Sequence, residues 1–226
     1  MTFANHIISF IKNLSFPFKL PGEIKVMNPF LNRETLTVCE NFYRKYYSDH
    51  NNRWMIIGIN PGRFGGGVTG IPFTDPIRLQ SECGIENSWP KKQELSSLFI
   101  YEIINAFGGP EVFYKKFYFT AVSPLGFTRN NKNLNYYDDK ILENGIKDFA
   151  VNCMIKQLKF GINCDVVFCL GDGKNYKYLS KLNAEHKFFK QIIPLSHPRF
   201  IMQYKLKSKS RYVQSYLRQL AFCNRQ

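Results

Sequence analysis

Apolar and polar positions fall into blocks along this chain. Four short apolar runs, residues 53–59, 117–124, 164–170 and 191–195, are bounded by Gly, Pro or Asn and read as buried strands. Longer segments between them carry apolar residues three and four apart. Leu36, Val38, Phe42 and Tyr46 mark a helix over 34–46. Leu95, Leu98, Phe99, Ile103 and Phe107 mark another over 93–107, stopped by Gly108-Gly109-Pro110. Ile141, Ile146, Phe149, Ala150, Met154 and Leu158 mark a long one over 138–159. Further helices are predicted over 4–14, 176–188 and 211–222, with a turn-rich connector at 16–22 and polar turns at 49–52 and 130–135. Strands alternating with helices predict an α/β fold: three αβα layers around a central four-stranded parallel sheet. No repeat or linker divides the chain, so residues 1–226 form one domain, with 1–50 as an N-terminal helical segment packed on it.

All strand C-termini of a parallel sheet share one edge, where such folds place their ligands. Asn60, Ser123, Gly171 and His197 follow predicted strands and should gather there. The richest stretch is 54–73, a strand that breaks into Asn60-Pro61-Gly62 and then Gly65, Gly66 and Gly67. Its bland reading is a connecting loop. A partner for it is Leu195-Ser196-His197-Pro198-Arg199. An Asn at the edge can orient a water molecule but is a poor general base. That suits a reaction in which the leaving group departs first and water captures the cation. A His donating a hydrogen bond would stabilise the departing anion. Excision of a base from a nucleotide is such a reaction. His6, His50 and His186 carry no comparable signal.

Charge sharpens this picture. Thirty-one Lys and Arg against 17 Asp and Glu give a net charge of +14, which points to an anionic partner, most simply a phosphate backbone. A Lys-rich composition inherited from an AT-rich genome is the competing reading. The six cysteines form no CxxC and have no His at ligand spacing. They read as reduced thiols of a cytoplasmic protein, with no metal site and no cofactor. No apolar run is long enough to span a membrane, and residues 1–20 read as an amphipathic helix rather than a signal peptide.

The stretch from Gly58 through Asn60-Pro61-Gly62, Phe64-Gly65 and Thr69-Gly70-Ile71-Pro72-Phe73 resembles the first motif of the single-strand-selective monofunctional uracil-DNA glycosylases, GMNPGPFGxxxTGVPFG. Phe119 to Leu125 with Lys132-Asn133-Leu134 resembles that family's middle segment, and Leu195 to Arg199 its histidine motif. The likeness spans most of 54–205 and points to the second, bacterial subfamily, acting at the nucleoid. It implies a metal-free, monofunctional, monomeric enzyme that hydrolyses the N-glycosidic bond of uracil, or of related oxidised or deaminated bases, in single- or double-stranded DNA. The base would be extruded into a pocket. By the same resemblance Asn60 positions the water and His197 stabilises the leaving anion. Phe73 stacks on the base, and Ile59, Pro61, Gly62 and Ser123 line the pocket. Arg199, Phe200, Ile201, Met202 and Lys205 meet the DNA, the apolar ones as a wedge, with Lys207, Lys209 and Arg211 on phosphates. Lys residues are absent from the pocket motifs, so no Schiff-base lyase step is expected.

Two features depart from the family. Ala121 stands where animal members carry a base-reading Asn, and the hydroxyls of Thr120 and Ser123 do not offer an amide's donor-plus-acceptor face; Asn130 or Asn133 are substitutes. The Ser-His-Pro-Arg motif is shorter than His-Pro-Ser-Pro-Arg. Two rival readings stay open: a catalytically silent DNA- or damage-binding module of the same fold, and a nucleotide-binding enzyme using the Gly loop for phosphate. The second lacks GxGxxG and GxxxxGK[ST].

Overall fold

The computed structural model describes residues 1–20 and 22–224; Pro21 of the predicted connector and residues 225–226 lie outside the described residues. The strands are β1 (Lys25–Met27), β2 (Arg53–Gly58), β3 (Phe117–Ala121), β4 (Gly126–Arg129), β5 (Lys132–Leu134), β6 (Ile162–Leu170) and β7 (Gln191–Leu195). The helices are α1 (Phe3–Lys12), α2 (Arg33–Tyr47), α3 (Gly66–Thr69), α4 (Pro76–Ser81), α5 (Leu95–Ala106), α6 (Pro110–Lys116), α7 (Lys140–Gly145), α8 (Lys147–Leu158), α9 (Lys174–His186), α10 (Pro198–Tyr204) and α11 (Lys209–Leu220).

The main sheet has the order β3-β2-β6-β7, parallel throughout, as the block pattern predicted. β2 lies inside it, with Met55, Ile56 and Ile57 buried. A continuous apolar run is what a strand covered on both faces requires. From β2 the chain steps outward to β3, then returns to the other side of β2 for β6 and β7. The direction of travel therefore reverses between β2 and β6, which opens a crevice at their C-terminal ends. The opposite end is closed by Arg53. Its buried guanidinium lies 4.6 Å from the rings of both Phe3 and Tyr47. It makes paired 2.8 Å bonds to Asp49 and donates to the Tyr114 carbonyl at 2.7 Å.

Several elements differ from expectation. Residues 130–135, predicted as a polar turn, belong to a second, antiparallel sheet of order β1-β4-β5. Only Asn130 and Asn131 form the turn, with φ of +50° and +55°. Two successive left-handed residues are what a tight hairpin needs, and Asn tolerates them. The long helix over 138–159 is broken at Ile146 into α7 and α8. Gly108-Gly109-Pro110 stops α5 but also starts α6, with Pro110 at the first helical position. Pro198 likewise starts α10.

Candidate active site

The coil leaving β2 is held tightly. A side-chain carbon on Gly58 would come within 2.7 Å of the Phe73 ring, so that residue must be glycine for Phe73 to lie over the strand end. Phe73 itself sits at φ +54°, a costly conformation for an aromatic residue that the surrounding bonds impose. Thr69 supplies them. Its Oγ1 donates to the Thr74 carbonyl at 2.7 Å and accepts the Ile71 N–H at 3.1 Å. Buried Asp75 caps α4 by accepting the Arg78 N–H, and its second oxygen accepts the Glu94 N–H, both at 2.8 Å. The Gly/Pro stretch is thus a braced scaffold.

Asn60 is clamped by main chain from the small sheet and the turn beyond it. Its Nδ2 donates to the Leu134 carbonyl at 3.2 Å, and its Oδ1 accepts the Tyr136 N–H at 3.1 Å. Tyr136 is anchored in turn: its hydroxyl donates to Asn175 Oδ1 at 2.7 Å, and Asn175 Nδ2 donates to the Leu170 carbonyl at 2.9 Å. The amide plane is fixed, and a carbonyl oxygen holding one N–H retains a second lone pair for a water molecule.

His197 is the N-cap of α10. Its Nδ1 accepts the backbone N–H of Arg199 at 3.2 Å. An acceptor at Nδ1 puts the proton of the neutral ring on Nε2. Desolvation, with a smaller contribution from the Arg199 charge, lowers its pKa from 6.5 to about 4. At neutral pH His197 is therefore an uncharged imidazole with Nε2–H as its free donor.

Asn60 and His197 line one cavity of about 120 Å³ at the strand ends, together with Ile59, Pro61, Gly62, Phe73 and Arg199. Ser123 is not brought there. It is fully buried, and its hydroxyl donates to the Leu125 carbonyl at 2.7 Å. Thr120, at the wall, donates to Gln157 at 2.7 Å. Among the described residues, no His, Cys, Asp and Glu side chains cluster as a metal-binding group.

The expected wedge needs revision. Ile201 is completely buried, because α10 lies against α5 and turns that side inward. Met202 packs partly against the core. The exposed apolar side chains of this region are Phe200, Tyr204 and Leu206, with Lys205 beside the Phe200 ring. Lys209 is bonded to Glu102. A further exposed aromatic, Phe64, lies two residues beyond cavity-lining Gly62, 4.5 Å from Arg63 and 5.2 Å from Lys92.

The sequence reading missed Glu94. Its carboxyl lines the cavity, and burial, with the charge of Asp75, raises its pKa from 4.5 to about 7. No periodicity or motif marks it. The only signal is its place just before the first apolar residue of α5.

A model of the uracil DNA glycosylase superfamily matches residues 44–221. Fold, cavity and this match define the class, a DNA glycosylase, and the chain belongs to that superfamily, within it to the single-strand-selective monofunctional family. The crystal structure of wild-type Pedobacter heparinus SMUG2 is similar over 100% of both chains, with 52% identity and a TM-score of 0.97. Among curated proteins none matches.

Proposed function

We propose that this protein hydrolyses the N-glycosidic bond of uracil in DNA, in base excision repair, without a covalent enzyme intermediate. The observation that carries this reading is the shared cavity of a clamped amide and an uncharged imidazole. Bond cleavage leaves positive charge on the sugar and negative charge on the base. Nε2–H of His197 donates to the oxygen where that negative charge collects, and the Arg199 guanidinium adds a favourable field. Asn60 Oδ1 holds the water that captures the sugar cation. Stacking on Phe73 orients the extruded base. Arg63, Lys92 and Lys205 are placed beside exposed aromatic rings next to the cavity, a pairing suited to phosphates and unstacked bases.

The test is incubation with oligonucleotides carrying uracil or related lesions, single-stranded and paired, followed by alkaline cleavage of abasic sites. Strand breaks from uracil are expected from the native protein. With Asn60→Ala they should fall by about 10²-fold or more while DNA affinity survives. DNA binding without any abasic product from the native protein would reject the activity and leave a silent binding module.

A further inference from the structure

The carboxyl of Glu94 has a place in the cavity that the roles of Asn60 and His197 do not use. Its oxygens lie against the backbone of the Gly loop: a side-chain carbon on Gly65 would sit 1.8 Å from Oε2, and one on Gly62 2.7 Å from Oε1. A side chain at either position would displace the carboxyl from where it lies. The bond from its own N–H to Asp75 sets where the side chain leaves the chain. No hydrogen bond within the described residues engages either oxygen, in contrast to Thr120 and Asn133, which also line the cavity. Thr120 is committed to Gln157, and Asn133 Oδ1 to the Arg63 N–H at 3.1 Å. A carboxyl at the cavity wall with no partner of its own is available to whatever enters the cavity.

We propose that the Glu94 carboxyl is the specificity-determining group that hydrogen-bonds the polar edge of the extruded base. The ligand class is a nucleobase showing an N–H beside a C=O. Resting on the glycosylase reading above, this names how that site holds its substrate. An uncharged carboxyl offers one donor and one acceptor side by side, the complement of that edge. Burial and Asp75 favour the uncharged form, against Arg199, up to about pH 7. The charged groups facing it are Asp75, Arg199 and, through its 3.5 Å contact with Asp75, Arg78. His197 titrates separately, near 4. A Glu94 carboxylate would lack the donor and would repel a departing base anion, so base capture should weaken as the pH rises through 7. The proton can sit on either oxygen, so the carboxyl accepts either order of donor and acceptor, and selectivity among such bases is broad.

The experiment measures affinity for free uracil by calorimetry, and excision from a single-stranded uracil oligonucleotide, between pH 5.5 and pH 8.5. Native protein is compared with Glu94→Gln and Glu94→Leu. Glu94→Gln keeps a donor and an acceptor without titrating. It should bind uracil about as well as native protein at pH 6 and lose the decline above 7. Glu94→Leu should bind at least roughly tenfold more weakly. If Glu94→Gln keeps the native pH profile, the side chain only packs, and the proposal is overturned. If excision instead rises through pH 7 and vanishes in Glu94→Gln, Glu94 is the base that activates water, which also overturns it. The uracil-binding arm needs no turnover. Native protein that binds uracil in a Glu94-dependent way but releases none from DNA would remove the proposed activity and leave this inference standing.

Discussion

His197 Nδ1 accepts the backbone N–H of Arg199, so one bond both starts α10 and fixes which ring nitrogen faces the cavity. The helix that carries Phe200 towards solvent and the imidazole that lines the cavity are thereby set by the same contact.

His197→Ala should lower kcat by about 10²–10³-fold with little change in DNA affinity, as removal of one preorganised donor does. The pH profile has a definite sign. With its folded pKa depressed from 6.5 to about 4, the contribution of His197 to stability is complete above 6.5 and is lost as pH falls through 4. Below that, a proton on Nδ1 would face the Arg199 N–H and break the cap. Kinetics and thermal melts from pH 3.5 to pH 8 check both limbs, and His197→Ala should lose the acid limb.

Tyr136 is a positioning residue, since it acts through Asn60. Tyr136→Phe deletes the 2.7 Å bond to Asn175, should cost about 1 kcal/mol or somewhat more, and loosens the N–H that holds Asn60. The expected result is a reduced kcat with unchanged KM. Equal fractional loss in kcat and in folded population at the assay temperature would mean that the residue serves stability alone.

Glu94 should make the protein less stable as pH rises. A carboxyl whose folded pKa is raised from 4.5 to about 7 contributes stability that is whole below 4.5 and lost as pH climbs through 7. Moving the pKa that far corresponds to about 3 kcal/mol before solvent screening reduces it. Glu94→Gln should therefore melt higher than native protein at pH 8, and the gap should close by pH 4. Chemical denaturation at the two pH values measures it.

The sequence made the sheet legible because four strands buried on both faces announce themselves as apolar runs. Asn60 and His197 were legible for a related reason: each follows such a run at a break into Gly or Pro, and parallel strands bring their ends together. What could not be read was orientation. Ser123 and Ile201 lie in stretches that do approach the site, but a hydroxyl turned towards its own neighbouring carbonyl and a helix lying on α5 are tertiary facts. Glu94 was invisible because a glutamate just ahead of a helix is ordinary. Its consequence arises from the glycines of a distant loop that give it room. The demand for Gly58 has the same origin, in a ring fifteen positions downstream.

β1 pairs with β4, β4 with β5, and the last carbonyl of β5 holds the Asn60 amide. Met27, the final residue of β1, fills the space beside Gly67 and Gly126 that any side chain there would invade. Trimming the chain from its front as far as Phe30 would leave Asn60, Phe73, Glu94, His197 and Arg199 in the polypeptide, yet take away the keystone of the arch under the Asn60 amide. Such a shortened protein should forfeit turnover by releasing Asn60 from its clamp, and the opening segment belongs to the catalyst rather than to its packaging.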